Sequence, residues 1–139
     1  AAIRLRRAGI QNASILPANH PTLKRLILKM DWVLVDAPCS GTGTLRRNPD
    51  MKWKIDSAMI ARLVQEQQAI FEQALQFVKP GGRIIYATCS ILPEENERQI
   101  QDFLRRLPVQ LEKEPLQLLP EQNGPDGFFG AVFRKLRIE

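Results

Sequence analysis

Two cysteines are the residues of this chain best suited to covalent chemistry. Cys39 and Cys89 stand fifty positions apart, each just beyond a short apolar run. Asp31-Trp-Val-Leu-Val-Asp36 leads through Ala-Pro to Cys39, and Arg83-Ile-Ile-Tyr-Ala-Thr88 leads directly to Cys89. A thiolate can act as nucleophile or metal ligand. With one histidine and no CxxC pair in the chain, no metal site is expected, and a reducing compartment disfavours a structural disulfide. A single cysteine near a strand end is most often a small buried apolar residue, and an aspartate there can be only a turn cap. Two cysteines, each in its own loop and accompanied by Asp36, weaken that reading and point to one shared cleft.

The elements that must position these residues follow from periodicity. Residues 31–36 and 83–88 are continuous apolar runs, the pattern of strands buried on both faces. Between them, Ile60, Leu63, Val64, Gln67, Ile70, Phe71, Ala74, Leu75 and Val78 recur at helical spacing, after Asp56-Ser57 as a cap and before the Lys79-Pro-Gly-Gly82 stop. The basic stretch 45–54 shows no regular element. A second helix is expected from Pro93, with Glu94 and Glu95 at the positive end of its dipole and Pro108 as its stop. Further strands are expected at Ala13–Leu16, Val109–Glu112 and Phe128–Leu136, and a helix end at Ala1–Ala8 stopped by Gly9. Strands alternating with helices give an α/β domain with a largely parallel sheet. In such sheets ligands bind beyond the carboxyl ends of the strands, where both cysteines fall.

The 139 residues, 44% hydrophobic and 25% charged, suit one domain with a real core. No stretch approaches the ~20 apolar residues of a membrane span, and the start, AAIRLRRAGI, lacks the segments of a secretory signal, so a cytoplasmic location is expected. The net charge of +5 is compatible with a polyanionic partner without requiring one.

Asp36-Ala-Pro-Cys-Ser-Gly-Thr-Gly43, continuing into Arg46-Arg-Asn-Pro-Asp50 and Lys52-Trp53, resembles the fourth motif of the Sun/Nop family of RNA cytosine-C5 methyltransferases. Ala87-Thr-Cys-Ser90 followed by Pro93-Glu-Glu-Asn96 resembles its sixth, and Asp126-Gly-Phe-Phe129 its closing motif. The matches run in order over most of the chain, most like the bacterial enzymes acting on small-subunit ribosomal RNA, with transfer RNA left open.

The resemblance implies a Rossmann-like class I methyltransferase sheet, S-adenosylmethionine as cofactor and RNA as partner. C5 of cytosine is too weak a nucleophile to take a methyl group unaided, so a thiolate must first add to C6. The resemblance puts that role on Cys89, and puts on Cys39 help in resolving the adduct, through loss of the C5 proton or release of the enzyme. Asp36 matches a residue that contacts the pyrimidine and lines the donor site. Pro38 presents Cys39 and lies near the base, and Asn19 stands where the family commonly has an adenine-contacting aspartate. Arg46, Arg47, Lys52, Trp53 and Lys54 are candidates to grip phosphate or stack a base.

The family's Gly-rich cofactor loop and the acidic residue of its second strand have no counterpart in the sequence. The expectation is therefore that residues 1–139 form the C-terminal portion of a methyltransferase domain, with an incomplete sheet, and that the chain alone binds S-adenosylmethionine weakly and is inactive. Two alternatives stay open: a DNA-type enzyme with Cys39 as nucleophile, and a non-catalytic RNA-binding remnant.

Overall fold

The structure, a computed structural model, describes residues 1–138. Helix α1 spans Ala2–Arg7 and ends before Gly9, whose φ of 68° continues no helix. Residues 13–16 are exposed and irregular instead of forming the expected strand. A strand must pair with an edge, and among the described residues strand β1, Met30–Asp36, pairs only with β2, Val78–Thr88. A short helix α2, Thr22–Arg25, precedes β1.

After β1 a single 3₁₀ turn, Thr42–Thr44, and a one-turn helix α3, Met51–Lys54, occupy the segment that showed no periodicity. Helix α4, Ser57–Leu75, is the long amphipathic crossover. The Asp56 carboxylate accepts from the Met59 amide at 2.7 Å and caps it. The Lys79-Pro-Gly-Gly82 stop lies inside β2 as an irregularity: Val78 aligns with Met30 and Arg83 with Trp32, so the intervening residues bulge, Gly81 at a φ of 81°.

Helix α5 spans Glu97–Arg106, four residues later than Pro93 suggested, because residues 93–96 form a turn from which the Glu95 and Asn96 side chains are drawn into the interior. Strands β3, Val109–Leu111, β4, Leu116–Leu118, and β5, Phe128–Lys135, complete the sheet. The order is β1-β2-β5-β3, with β4 also on β5.

The sheet corrects the largely parallel expectation. Among the described residues only β1 and β2 pair in parallel; β5 is antiparallel to β2, β3 and β4. Helix α4 supplies the crossover a parallel pair needs, whereas the short links among β3, β4 and β5 suit antiparallel pairing. Strand β4 escaped notice because it is three exposed residues flanked by Pro115 and Pro120.

One face carries the core. Val35, Ile84, Tyr86, Phe129, Ala131 and Phe133 pack against Phe71, Leu75, Ile100 and Phe103 from α4 and α5. Phe71 and Phe103 stack at 3.9 Å, with Tyr86 and Phe133 edge-on to both. The reading of β1 as buried on both faces is overturned on the other side, where Trp32 and Leu34 are 52% and 65% exposed. No described helix lies over that face, and the Arg83 guanidinium sits over the Trp32 ring at 4.9 Å.

Candidate active site

The two cysteine loops leave the sheet side by side because their strands are paired neighbours. Asp36 aligns with Ala87, and the Ala37 amide continues the ladder to the Ala87 carbonyl at 2.9 Å. Beyond that point the chains turn over the carboxyl edge and bring Cys39 Sγ to 3.3 Å from Cys89 Sγ. Both residues are half-buried and both are free thiols. Burial, and then the hydrogen bond with Cys89, push the Cys39 thiol up to about 12.

A buried polar network fixes the residues that follow each cysteine. Glu95 is fully buried, and its carboxylate accepts from the Ser40 amide at 2.8 Å and the Ser40 hydroxyl at 2.6 Å. It also accepts from the Ser90 hydroxyl and from Gln67 Nε2, the latter at 3.1 Å. Gln67 Nε2 donates as well to the Pro38 carbonyl at 2.9 Å. Tyr86 donates its hydroxyl to the Glu95 carbonyl at 2.7 Å, and burial, then the nearby Glu95 charge, raise its own ionisation far above the usual range. Asn96 is tied at both ends, accepting from Thr88 Oγ1 at 2.7 Å and donating to the Ser90 carbonyl at 2.9 Å.

A third loop closes the arrangement. The Gly43 amide donates to the Cys89 carbonyl at 2.9 Å, and the Gly127 amide donates to the Gly43 carbonyl at 2.8 Å. Asp126 beside it takes Arg46 at 2.6 Å on one carboxylate oxygen and Arg47 at 2.7 Å on the other. The three sequence motifs therefore meet at one place.

The expected site residues divide into groups. Cys39 and Cys89 come together, with Pro38 exposed beside them and Asp36 exposed at the end of β1. Asn19 is exposed on the loop before α2. Of the basic patch, Arg46 is committed internally: besides Asp126 it donates to the carbonyls of Glu121 and Gly124. Arg47 remains 67% exposed, Lys52 lies over the Trp53 ring at 4.8 Å, and Trp53 is 81% exposed with Lys54 exposed beside it.

Sequence reasoning missed the internal roles of Glu95 and Gln67. It placed Glu95 at a helix start for its charge and counted Gln67 within the apolar stripe of α4. A glutamine at a core position was the available signal, because a buried amide needs partners. Among the described residues no group of three or more metal-ligating side chains gathers, and no helix is long and apolar enough to cross a membrane.

Comparison with known proteins agrees with this geometry. The chain is 46% identical over 108 residues to Ribosomal RNA small subunit methyltransferase B of Proteus mirabilis, covering 78% of this chain and 26% of that protein. The protein of the same name from Klebsiella pneumoniae is 47% identical over 116 residues, covering 78% and 27%. The chain thus spans about a quarter of the length of these curated relatives. Among solved structures, PH0851 superposes with a TM-score of 0.88 at 32% identity, covering 96% of this chain and 33% of that one. NSun6 from Pyrococcus horikoshii with SFG gives a TM-score of 0.83 at 25% identity, covering 99% and 38%. The family described as 16S rRNA methyltransferase RsmB/F matches residues 2–134, nearly the whole chain, and the chain belongs to that family.

Proposed function

We propose that these residues carry out methyl transfer from S-adenosylmethionine to C5 of a cytosine in 16S ribosomal RNA, within a chain of the relatives' full length. The observation that carries this reading is the 3.3 Å approach of the Cys39 and Cys89 sulfurs at the carboxyl ends of neighbouring parallel strands.

In this reading Cys89 adds as thiolate to C6, which makes C5 electron-rich enough to be methylated. Asp36, exposed at the strand end, hydrogen-bonds the pyrimidine at N3 or its exocyclic amine and steadies the charge that develops on the ring. Loss of the C5 proton to water then expels the Cys89 sulfur as thiolate and restores the aromatic ring. Cys39, whose thiol keeps its proton at neutral pH, can donate that S–H to the departing Cys89 sulfur. A target base within a helix must first be unstacked to reach Cys89.

The residues present suit one edge of the methyl donor. The Asp36 carboxylate and the Asn19 amide are exposed groups able to pair with its hydroxyl, amine or adenine edges, and Pro38 lies between Asp36 and the thiols. Bound there, the donor supplies an electrophilic methyl group. Arg47, Lys52, Trp53 and Lys54 form the RNA-facing surface, supported by the exposure of the Trp53 ring, of Lys52 over it, and of Arg47 and Lys54.

The test is trapping of the covalent RNA adduct in the full-length enzyme, comparing wild type with Cys39→Ala and Cys89→Ala. A denaturation-resistant RNA band that accumulates in Cys39→Ala and vanishes in Cys89→Ala is expected. The opposite pattern would assign the nucleophile to Cys39, as in DNA-type enzymes, and no band in any variant would leave only an RNA-binding role.

A further inference from the structure

We infer that Glu95 is the positioning residue that holds the two thiols in register, an inference that rests on the proposed roles of Cys39 and Cys89. Each cysteine is followed directly by a serine, and both serines are fastened to the same carboxylate. Ser40 donates its amide to Oε1 and its hydroxyl to Oε2 of Glu95, and the Ser90 hydroxyl donates to Oε2. Ser40, Ser90 and Glu95 are each at most 1% exposed. The carboxylate therefore bridges the loop after β1 to the loop after β2 one residue past each sulfur.

Four donors converge on the two oxygens: the Ser40 amide, the two serine hydroxyls and Gln67 Nε2. The orientation of each is fixed by its other bonds. Ser90 Oγ already accepts from the Leu92 amide at 3.0 Å, so its proton is free to point at Glu95. Gln67 Oε1 accepts from Gln99 Nε2 at 2.9 Å, which turns its amino group to Glu95 and to the Pro38 carbonyl. The Tyr86 hydroxyl holds the Glu95 backbone carbonyl. Four donors and no free acceptor complement a carboxylate and conflict with an amide, whose amino group would face donors. Charge-assisted bonds of this kind are the strong ones, and an unpaired buried group is costly.

Glu95 touches neither sulfur, so its effect passes through the loops. Were the contact between the thiols set by the strand pairing alone, Glu95 would matter only for stability. The distinction is experimental. Phenylarsine oxide takes up two thiols and releases one water, and its trivalent arsenic bridges only sulfurs held a few ångströms apart. It reports the thiol pair without RNA or methyl donor.

In the full-length enzyme, we expect wild type to take up one arsenical across Cys39 and Cys89, read by peptide mass. Glu95→Gln should bind it about tenfold or more weakly, the size of a lost charge-assisted hydrogen bond. Methylation by the same variant should fall in kcat by a similar factor with the KM for RNA unchanged, and Glu95→Asp should recover part of both. Ser90→Ala removes one donor from the Cys89 side with little change in volume, and should show a smaller loss of bridging even where Glu95→Gln does not fold. Wild-type bridging in Glu95→Gln, or in Ser90→Ala where that variant alone folds, overturns the inference. Weakened bridging in an enzyme that yields no RNA adduct in wild type, Cys39→Ala or Cys89→Ala sustains the positioning role while sinking the methyltransferase reading.

Discussion

Gly43 and Gly127 meet backbone to backbone. A Cβ added to Gly43 would lie 2.7 Å from the Gly127 Cα and 2.6 Å from the Cys89 carbonyl oxygen, and one added to Gly127 would lie 2.6 Å from the Gly43 Cα. The neighbours are main-chain atoms that cannot swing aside. This contact joins the loop carrying Cys39, the loop carrying Cys89 and the turn before β5. Alanine at either position is expected to cost about 1–3 kcal/mol through overpacking, with a further loss of thiol bridging by phenylarsine oxide. Urea unfolding of Gly43→Ala and Gly127→Ala checks it; wild-type midpoints for both would show that the loops separate freely.

The Cys39 thiol should make stability fall in alkali. Its folded pKa is raised to about 12 from an ordinary value of 9.0 by burial first and the Cys89 hydrogen bond second. Above pH 9 the unfolded chain gives up a proton that the folded chain retains, so the unfolded state binds fewer protons and stability drops as pH rises towards 12. Below pH 9 the contribution is fully present. Cys39→Ser should flatten this part of the profile, measured as urea midpoints across that range; an unchanged slope would place the titrating group elsewhere. Alkylation of Cys39 at neutral pH should likewise be slower than that of an ordinary exposed thiol.

Arg46 and Trp53 should behave as opposites. Trp53 is 81% exposed, so Trp53→Ala should change stability by no more than about 0.5 kcal/mol, while weakening RNA binding by about 1–3 kcal/mol if it stacks on a base. Arg46 spans Asp126, Glu121 and Gly124. Arg46→Ala should speed hydrogen exchange in residues 121–127 and affect RNA affinity only through that loosening. An RNA defect in Arg46→Ala with exchange unchanged would return Arg46 to the RNA-facing group.

The 139-residue chain alone should bind S-adenosylmethionine weakly. Asn19, Asp36 and Pro38 are all exposed and provide an open edge where a tight site would enclose its ligand. Titration calorimetry giving a micromolar affinity would contradict this.

Much of the architecture was legible because local chemistry dictated it. Asp56 capped α4 and apolar periodicity marked that helix, although it ends at Leu75 and Val78, read as its last apolar position, opens β2 instead; β-branched runs formed β1 and β2. The strand that did not form at 13–16 and the bare face of β1 were not legible, because apolar composition reports what could be buried and not whether a partner lies against it. The antiparallel β5 was hidden for a similar reason: strand direction depends on how the chain returns to the sheet.

The sequence by itself determined which residues are reactive and which family motifs surround them, since residue type and short spacing are local properties. Only the tertiary structure decided that Cys39 and Cys89 face each other at 3.3 Å, that Glu95 turns inward to fasten Ser40 and Ser90, and that Arg46 pairs with Asp126 of the turn before β5. Apart from the local Glu95–Ser90 bond, these depend on contacts between residues some fifty to eighty positions apart in the chain, which the parallel pairing of β1 with β2 and the return of β5 bring into register.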